Sequence, residues 1–205
     1  MKLLLFSDVH SSLWHCERLV EQADDVDLVI GAGDLGNVRR GLERTVKALG
    51  KIKKPTVLVP GNSESDEELL AVAGQFWPAA TVLHGTGTEI AGIPFFGIGG
   101  GIPITPFGAW SFDFSEDEAE TLLANCPPAA VLISHSPPKG AVDVSSSGRS
   151  LGSVAVRAAI ERLQPRLVVC GHIHASAGQH QMIGDTPVVN AGPDGLMWEL
   201  EVPAN

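Results

Sequence analysis

The sequence predicts an α/β chain of the α+β type, folded as a four-layer αββα sandwich of two mixed β-sheets flanked by helices. Three observations lead there. Short β-branched-rich apolar runs alternate with helical segments over the first third, a βαβαβα pattern that implies parallel pairing. Five of the apolar runs end directly in a polar cluster built on Asp, Asn, His and Gly. Two later stretches, Thr81 to Ile98 and Gln179 to Val202, instead show short strands broken by glycines, as an antiparallel meander would.

The predicted strands of the first kind are Leu3 to Phe6, Leu28 to Ile30, Val57 to Val59, Val131 to Ile133 and Leu167 to Val169. Each is short, almost wholly apolar and bounded by turn residues, the signature of a parallel strand buried on both faces. Between them the spacing predicts helices over Leu13 to Ala23, Val38 to Leu49, Asp66 to Ala73, Glu116 to Ala124 and Ser153 to Leu163. Ser65 with Glu68 and Ser115 with Glu118 form capping boxes, in which a hydroxyl and a carboxylate three residues apart satisfy each other's backbone N–H groups. No repeat, linker or low-complexity tract interrupts the chain, so a single domain over residues 1–205 is expected.

Composition narrows the function classes. With 44% apolar and 19% charged residues the chain is of ordinary globular type. A formal net charge of -10 argues against binding long nucleic acids or an anionic membrane, either of which needs a basic face. The apolar residues near the start, Leu3 to Phe6 and Val9, are too few for a signal segment, and no later run approaches a membrane span, so a cytoplasmic location is expected. Cys16, Cys126 and Cys170 share no ligand spacing and read as buried free thiols.

The chemistry lies in the polar clusters: Asp8-x-His10, Gly33-Asp34, Gly61-Asn62, His135 and Gly171-His172-x-His174. In open α/β sheets the loops leaving strand C-terminal ends converge, so these clusters describe one site. Residues i and i+2 of an extended segment point the same way, which would let Asp8 pair with His10, and His172 with His174, on one ion. Carboxylate, amide and imidazole without thiolate suit manganese, iron, zinc, cobalt or nickel better than calcium. Seven such residues exceed the three protein ligands that one catalytic zinc uses, and suit two ions sharing a carboxylate.

The order Asp-x-His, Gly-Asp, Gly-Asn, single His and Gly-His-x-His resembles the calcineurin-like metallophosphoesterases over about residues 1 to 195. The stretches Ser134 to Gly140 and Ser147 to Ser150 look like a small prokaryotic branch of predicted phosphoesterases. The resemblance implies that Asp8, His10, Asp34 and His174 hold one metal, and that Asp34, Asn62, His135 and His172 hold the other, with Asp34 as the bridge. It also implies a catalytic part for Asp34, Asn62 and His135 in positioning a metal-bridging hydroxide and the phosphate. The expected cofactors are two divalent transition-metal ions, manganese first. The expected partner is a small phosphate ester, and a homo-oligomer stays open.

One departure matters. The family's Gly-Asn-His-Asp/Glu segment is Gly61-Asn62-Ser63-Glu64 here, and a serine hydroxyl is far too weak an acid to protonate a leaving group. A preference for good leaving groups, or another proton donor, is therefore predicted. Arg149 sits in a Gly- and Ser-rich loop after His135, where it is either a substrate-binding guanidinium or a solvated surface residue. The stretch Gly99 to Phe114 would let backbone amides approach an anion and Phe107 and Trp110 stack on an aryl group, although packing or a dimer contact is the commoner use of such aromatics. His15, His84 and His180 fall outside the pattern and are expected to be structural or exposed; Asn190 is left without a role.

Two alternatives compete with a phosphoesterase. A non-catalytic metal-binding or protein-interaction module on the same fold would have lost ligands, whereas all seven are present and only the acid-position His is missing. A metal-dependent amidohydrolase would need a barrel of typically about 250 residues with its His pair on an early strand. Here the pair comes last.

Overall fold

A computed structural model describes residues 1–201. Its strands are β1 (Lys2–Phe6), β2 (Leu28–Gly31), β3 (Thr56–Leu58), β4 (Ala80–Val82), β5 (Thr86–Ile90), β6 (Ile93–Ile98), β7 (Val131–Ser134), β8 (Leu167–Cys170), β9 (His180–Ile183), β10 (Thr186–Asn190) and β11 (Leu196–Glu199). The helices are α1 (Leu13–Gln22), α2 (Leu42–Leu49), α3 (Asp66–Phe76), α4 (Glu116–Leu123) and α5 (Val154–Leu163). One sheet runs β11-β1-β2-β3-β4 and the other β5-β6-β7-β8-β10-β9.

The period-two alternation of strands explains the layers. Leu3, Leu5, Leu28, Ile30 and Val57 face Phe95, Val131, Ile133, Val169 and Val189 across the gap between the sheets. Leu4, Phe6, Val29 and Leu58 turn outward onto Cys16 and Leu19 of α1, Val46 and Leu49 of α2, and Leu69 of α3. On the far side Leu132, Val168 and Val188 meet Ala119 and Leu123 of α4 and Val156 and Ile160 of α5. The order of layers is therefore helices, sheet, sheet, helices. All three cysteines are free and buried. Both capping boxes form, at Ser65–Glu68 and Ser115–Glu118.

Three expectations need correction. The helix expected from Val38 begins only at Leu42, because Val38 and Arg39 have φ of 49° and 62° and residues 37–40 close a tight turn by reciprocal backbone bonds between Asn37 and Arg40. The stretch Thr81 to Ile98 is not one meander: β4 completes the first sheet, parallel to β3, and the chain then crosses over. Only β5 and β6 pair antiparallel there. Similarly, from Gln179 onward only β9 and β10 form a hairpin, while β11 returns to pair antiparallel with β1 in the first sheet. Val202, the end of that stretch, lies outside the described residues. Local alternation identifies a strand, whereas the sheet it joins depends on contacts distant in sequence. Among the described residues no helix is long and apolar enough to cross a membrane.

Candidate metal centre

The parallel strands β1, β2, β3, β7 and β8 end at one edge, and the loops leaving them bring together Asp8, His10, Asp34, Asn62, His135, His172 and His174. Convergence does not follow from an extended segment, as the sequence suggested. Asp8, His10, Asp34 and His172 all have positive φ, between 47° and 66°, so each turns sharply after its strand. Long-range backbone bonds hold the turns: Asp8 N–H donates to Gly33 O, His10 N–H to Asp34 O and Gly171 N–H to His135 O.

Two compact groups of donor atoms result. Asp8, His10 and His174 form one, and Asp8, Asp34 and His135 the other, with atoms in each within 4.8 Å of one another. His10 Nε2 and His174 Nε2 are 3.0 Å apart, and His174 Nε2 is 3.5 Å from Asp8 Oδ1. Asp8 is common to both groups, and Asp34 of the second also approaches the first, with Oδ2 3.6 Å from His10 Nε2 and Oδ1 3.5 Å from His135 Nε2. Asn62 Oδ1 is 3.2 Å from His135 Nε2. His172 stands beside them, its ring centroid 5.0 Å from that of His135.

The surroundings fix these atoms in place. His135 is fully buried, and its Nδ1 lies 2.7 Å from Ala32 O; a proton held there leaves the Nε2 lone pair facing Asp34. Asn62 Nδ2 donates to Ser111 Oγ, which turns Oδ1 inward. Asp8 accepts from Ser7 Oγ at 2.6 Å and from His172 N–H at 3.1 Å. Ser63 N–H donates to Asp34 Oδ1 at 2.8 Å.

Electrostatics favour cations. Asp8 and Asp34 are buried, yet among the described residues the only positively chargeable side chains in ion-pair reach of them are imidazoles. Burial pushes the Asp8 carboxyl up, but the His174 hydrogen bond, His135 and the Ser7 hydroxyl outweigh it and hold the value at about 2. Burial opposes a charge on His135, but Asp34 and Asp8 prevail and raise it above the usual imidazole value. The hydrogen bond to Asp8 raises His174. Burial, with His135 beside it, lowers His172 to about 4. The cluster of carboxylate, amide and imidazole donors, lacking lysine or arginine, fits divalent metal.

Several supporting residues were given no role by the sequence. Glu64 is buried and accepts from Leu35, Gly36 and Gly61 N–H, lacing the loop after β2 to the loop after β3; burial and the charge of Asp34 push it up to about 7. Asn190 donates to Gly171 O and Ile173 O, bracing the His172–His174 turn from within. Ser7 also receives Gly192 N–H on its hydroxyl.

Of the other residues singled out, Arg149 is exposed and lies outside the lining of the cleft above the cluster. Phe107 and Trp110 do line it, with rings 5.6 Å apart and nearly parallel. His15 and His84 are partly buried and His180 is exposed on β9, all away from the cluster.

Comparisons agree with this picture. UPF0046 protein K07C11.7 of Caenorhabditis elegans is 29% identical over 216 residues, covering 93% of this chain and 69% of that protein. TT1561 of Thermus thermophilus superposes with a TM-score of 0.76 at 23% identity, covering 94% of this chain and 90% of that one. A dimetal phosphatase from Danio rerio superposes with a TM-score of 0.61 at 13% identity, covering 93% and 86%. A family model described as calcineurin-like phosphoesterase matches residues 1–176, and it ends just beyond the last histidine of the cluster. The chain therefore belongs to the calcineurin-like phosphoesterases, a family of divalent-metal-dependent phosphoesterases.

Proposed function

We propose that the protein hydrolyses phosphate esters with two divalent ions, manganese foremost, and favours diesters or activated esters over unactivated monoesters. The observation that carries this reading is the Asp34 carboxylate, whose two oxygens face His10 on one side and His135 on the other. Asp8, His10, Asp34 and His174 would hold one ion; Asp34, Asn62, His135 and His172 would hold the second. The pair, when bound, would lower the pKa of water and offset the charge of a phosphate.

The chain's own groups supply orientation. A proton on His135 Nδ1, given to Ala32 O, keeps Nε2 as a donor of electrons toward the centre. Asn62, fixed by Ser111, keeps its carbonyl oxygen on the same side. Ser63 is buried and offers its backbone N–H to Asp34, so this position supplies no acid to a leaving group. Stable leaving anions such as phenolates therefore suit the site. Charge points to diesters: the lining of the cleft includes no lysine or arginine, and a diester carries less negative charge than a monoester dianion.

The test is turnover of bis-p-nitrophenyl phosphate and p-nitrophenyl phosphate by metal-stripped protein, before and after adding manganese. Diester turnover restored by manganese supports the reading. Two ions bound without turnover of either ester would transfer the assignment to a non-catalytic module.

Cation retention should depend on pH in a defined window. Ligand imidazoles must be neutral, so protons compete with metal. Because His135 and His174 are raised, competition begins above the ordinary imidazole value of 6.5 and grows as pH falls. His172, lowered by burial to about 4, adds nothing in this window. Equilibrium dialysis against manganese from pH 8 to pH 6 should show affinity falling by up to about tenfold per pH unit for each of these two imidazoles. A flat profile would remove His135 and His174 from the ligand set.

A further inference from the structure

We propose that the cleft selects phosphate esters bearing one uncharged apolar arm, aromatic by preference; the proposal rests on the phosphoesterase reading above. The cleft has a volume of about 810 Å³. Its floor is the cluster, including His10, Asp34, Asn62, His172 and His174, and most of the rest of its lining is apolar, interrupted by Asn37, Thr105, Ser145 and Ser146. Ile104 is 65% exposed, Phe107 49%, Val38 46% and Leu151 41%, which is a large apolar area to leave in water beside a charged centre. Phe107 and Trp110, both lining the cleft, lie nearly parallel at an interplanar angle of 10° with ring centroids 5.6 Å apart, which puts aromatic carbon on the wall.

The wall is held open rather than collapsed. Asp113 accepts from Ser111 Oγ and from Thr105 N–H and Oγ1, while Phe112 N–H donates to Asn62 O, which pins the loop of Ile104 and Phe107 to the floor. Asp143 accepts from Gly140 N–H, Gly152 N–H and Ser150 Oγ, which braces the loop of Leu151. Val38 is the most telling member. A β-branched residue at φ 49° is strained, yet the turn closed by Asn37 and Arg40, with Arg39 N–H on Ser63 O, keeps its side chain in the cleft. Three separate loops thus supply apolar groups to one cavity. A second phosphate or a carboxylate on the arm would meet no lysine or arginine among the lining residues.

The test uses two diesters that share a leaving group, methyl p-nitrophenyl phosphate and phenyl p-nitrophenyl phosphate. In each, water's oxygen bonds to phosphorus, the bond to p-nitrophenol's oxygen breaks, p-nitrophenolate departs and water's proton passes to solvent. After correction for the rates with hydroxide in solution, the manganese-loaded protein should favour the phenyl ester roughly tenfold or more in kcat/KM, chiefly through KM. That ratio should collapse in Phe107→Ser and in Val38→Asn. Asparagine tolerates the left-handed turn better than valine, so the second variant separates loss of contact from loss of fold. Equal use of both esters by the wild type would overturn the apolar arm while leaving the phosphoesterase reading intact. Turnover of neither would overturn both. A concentration-dependent dimer abolished by Phe107→Ser, with the ratio unchanged, would reassign the wall to a contact between copies of the chain.

Discussion

Asp34→Asn should lose at least one bound ion and at least about a thousandfold in diester kcat/KM, with an unchanged far-ultraviolet circular dichroism spectrum. The asparagine is nearly isosteric, and its carbonyl oxygen can still accept the Ser63 N–H, so the loop has no reason to move. What disappears is the negative charge between His10 and His135. Metal content by mass spectrometry reads the first effect and bis-p-nitrophenyl phosphate the second. Full metal content in the variant would refute Asp34 as the shared ligand.

Gly61→Ala should be nearly as damaging although it alters no ligand. A methyl group there would collide with Oδ1, the backbone nitrogen and Cα of Asp34, and backbone on backbone cannot swing aside. Either Asp34 leaves its position or the loop after β3 is displaced with Asn62, and Gly61 N–H would lose Glu64. The expected result is loss of metal retention together with about 1–3 kcal/mol of stability. Gly74→Ala is the control: its site in α3 is open, and removing a helical glycine should leave metal content alone and raise stability by up to about 1 kcal/mol. A metal-replete Gly61→Ala protein would mean that the two loops are not closely fitted.

What was legible in the sequence follows from what is local. The five strands before the clusters could be placed because a buried parallel strand writes itself as a short apolar run, and each landed within a residue or two of its expected bounds. Ser65 and Ser115 revealed their helices because a capping box is complete within three residues. The turn at Val38 was not legible, since valine gives no hint of a left-handed backbone; contacts from Ser63 impose it. The sheet joined by β4 or by β11 is decided by partners far along the chain. Glu64, Ser7 and Asn190 are side chains of common kinds whose importance lies wholly in what surrounds them. Phe107 and Trp110 read in the sequence mainly as packing or contact residues, and their place on the cleft wall follows only from the folded loops.

The division of the cluster between the sheets reaches beyond chemistry. Asp8, His10, Asp34 and Asn62 leave strands of one sheet; His135, His172 and His174 leave strands of the other. Each ligand set proposed above draws on both sheets, the carboxylates all come from the first, and the seam is otherwise made of apolar contacts with a few hydrogen bonds such as His172 N–H to Asp8 and Gly192 N–H to Ser7 Oγ. Bound cations would therefore act as rivets across that seam, setting the register of one sheet on the other. The same ions that an enzyme of this kind consults for reactivity would then also report, by their retention, whether its two halves are correctly joined.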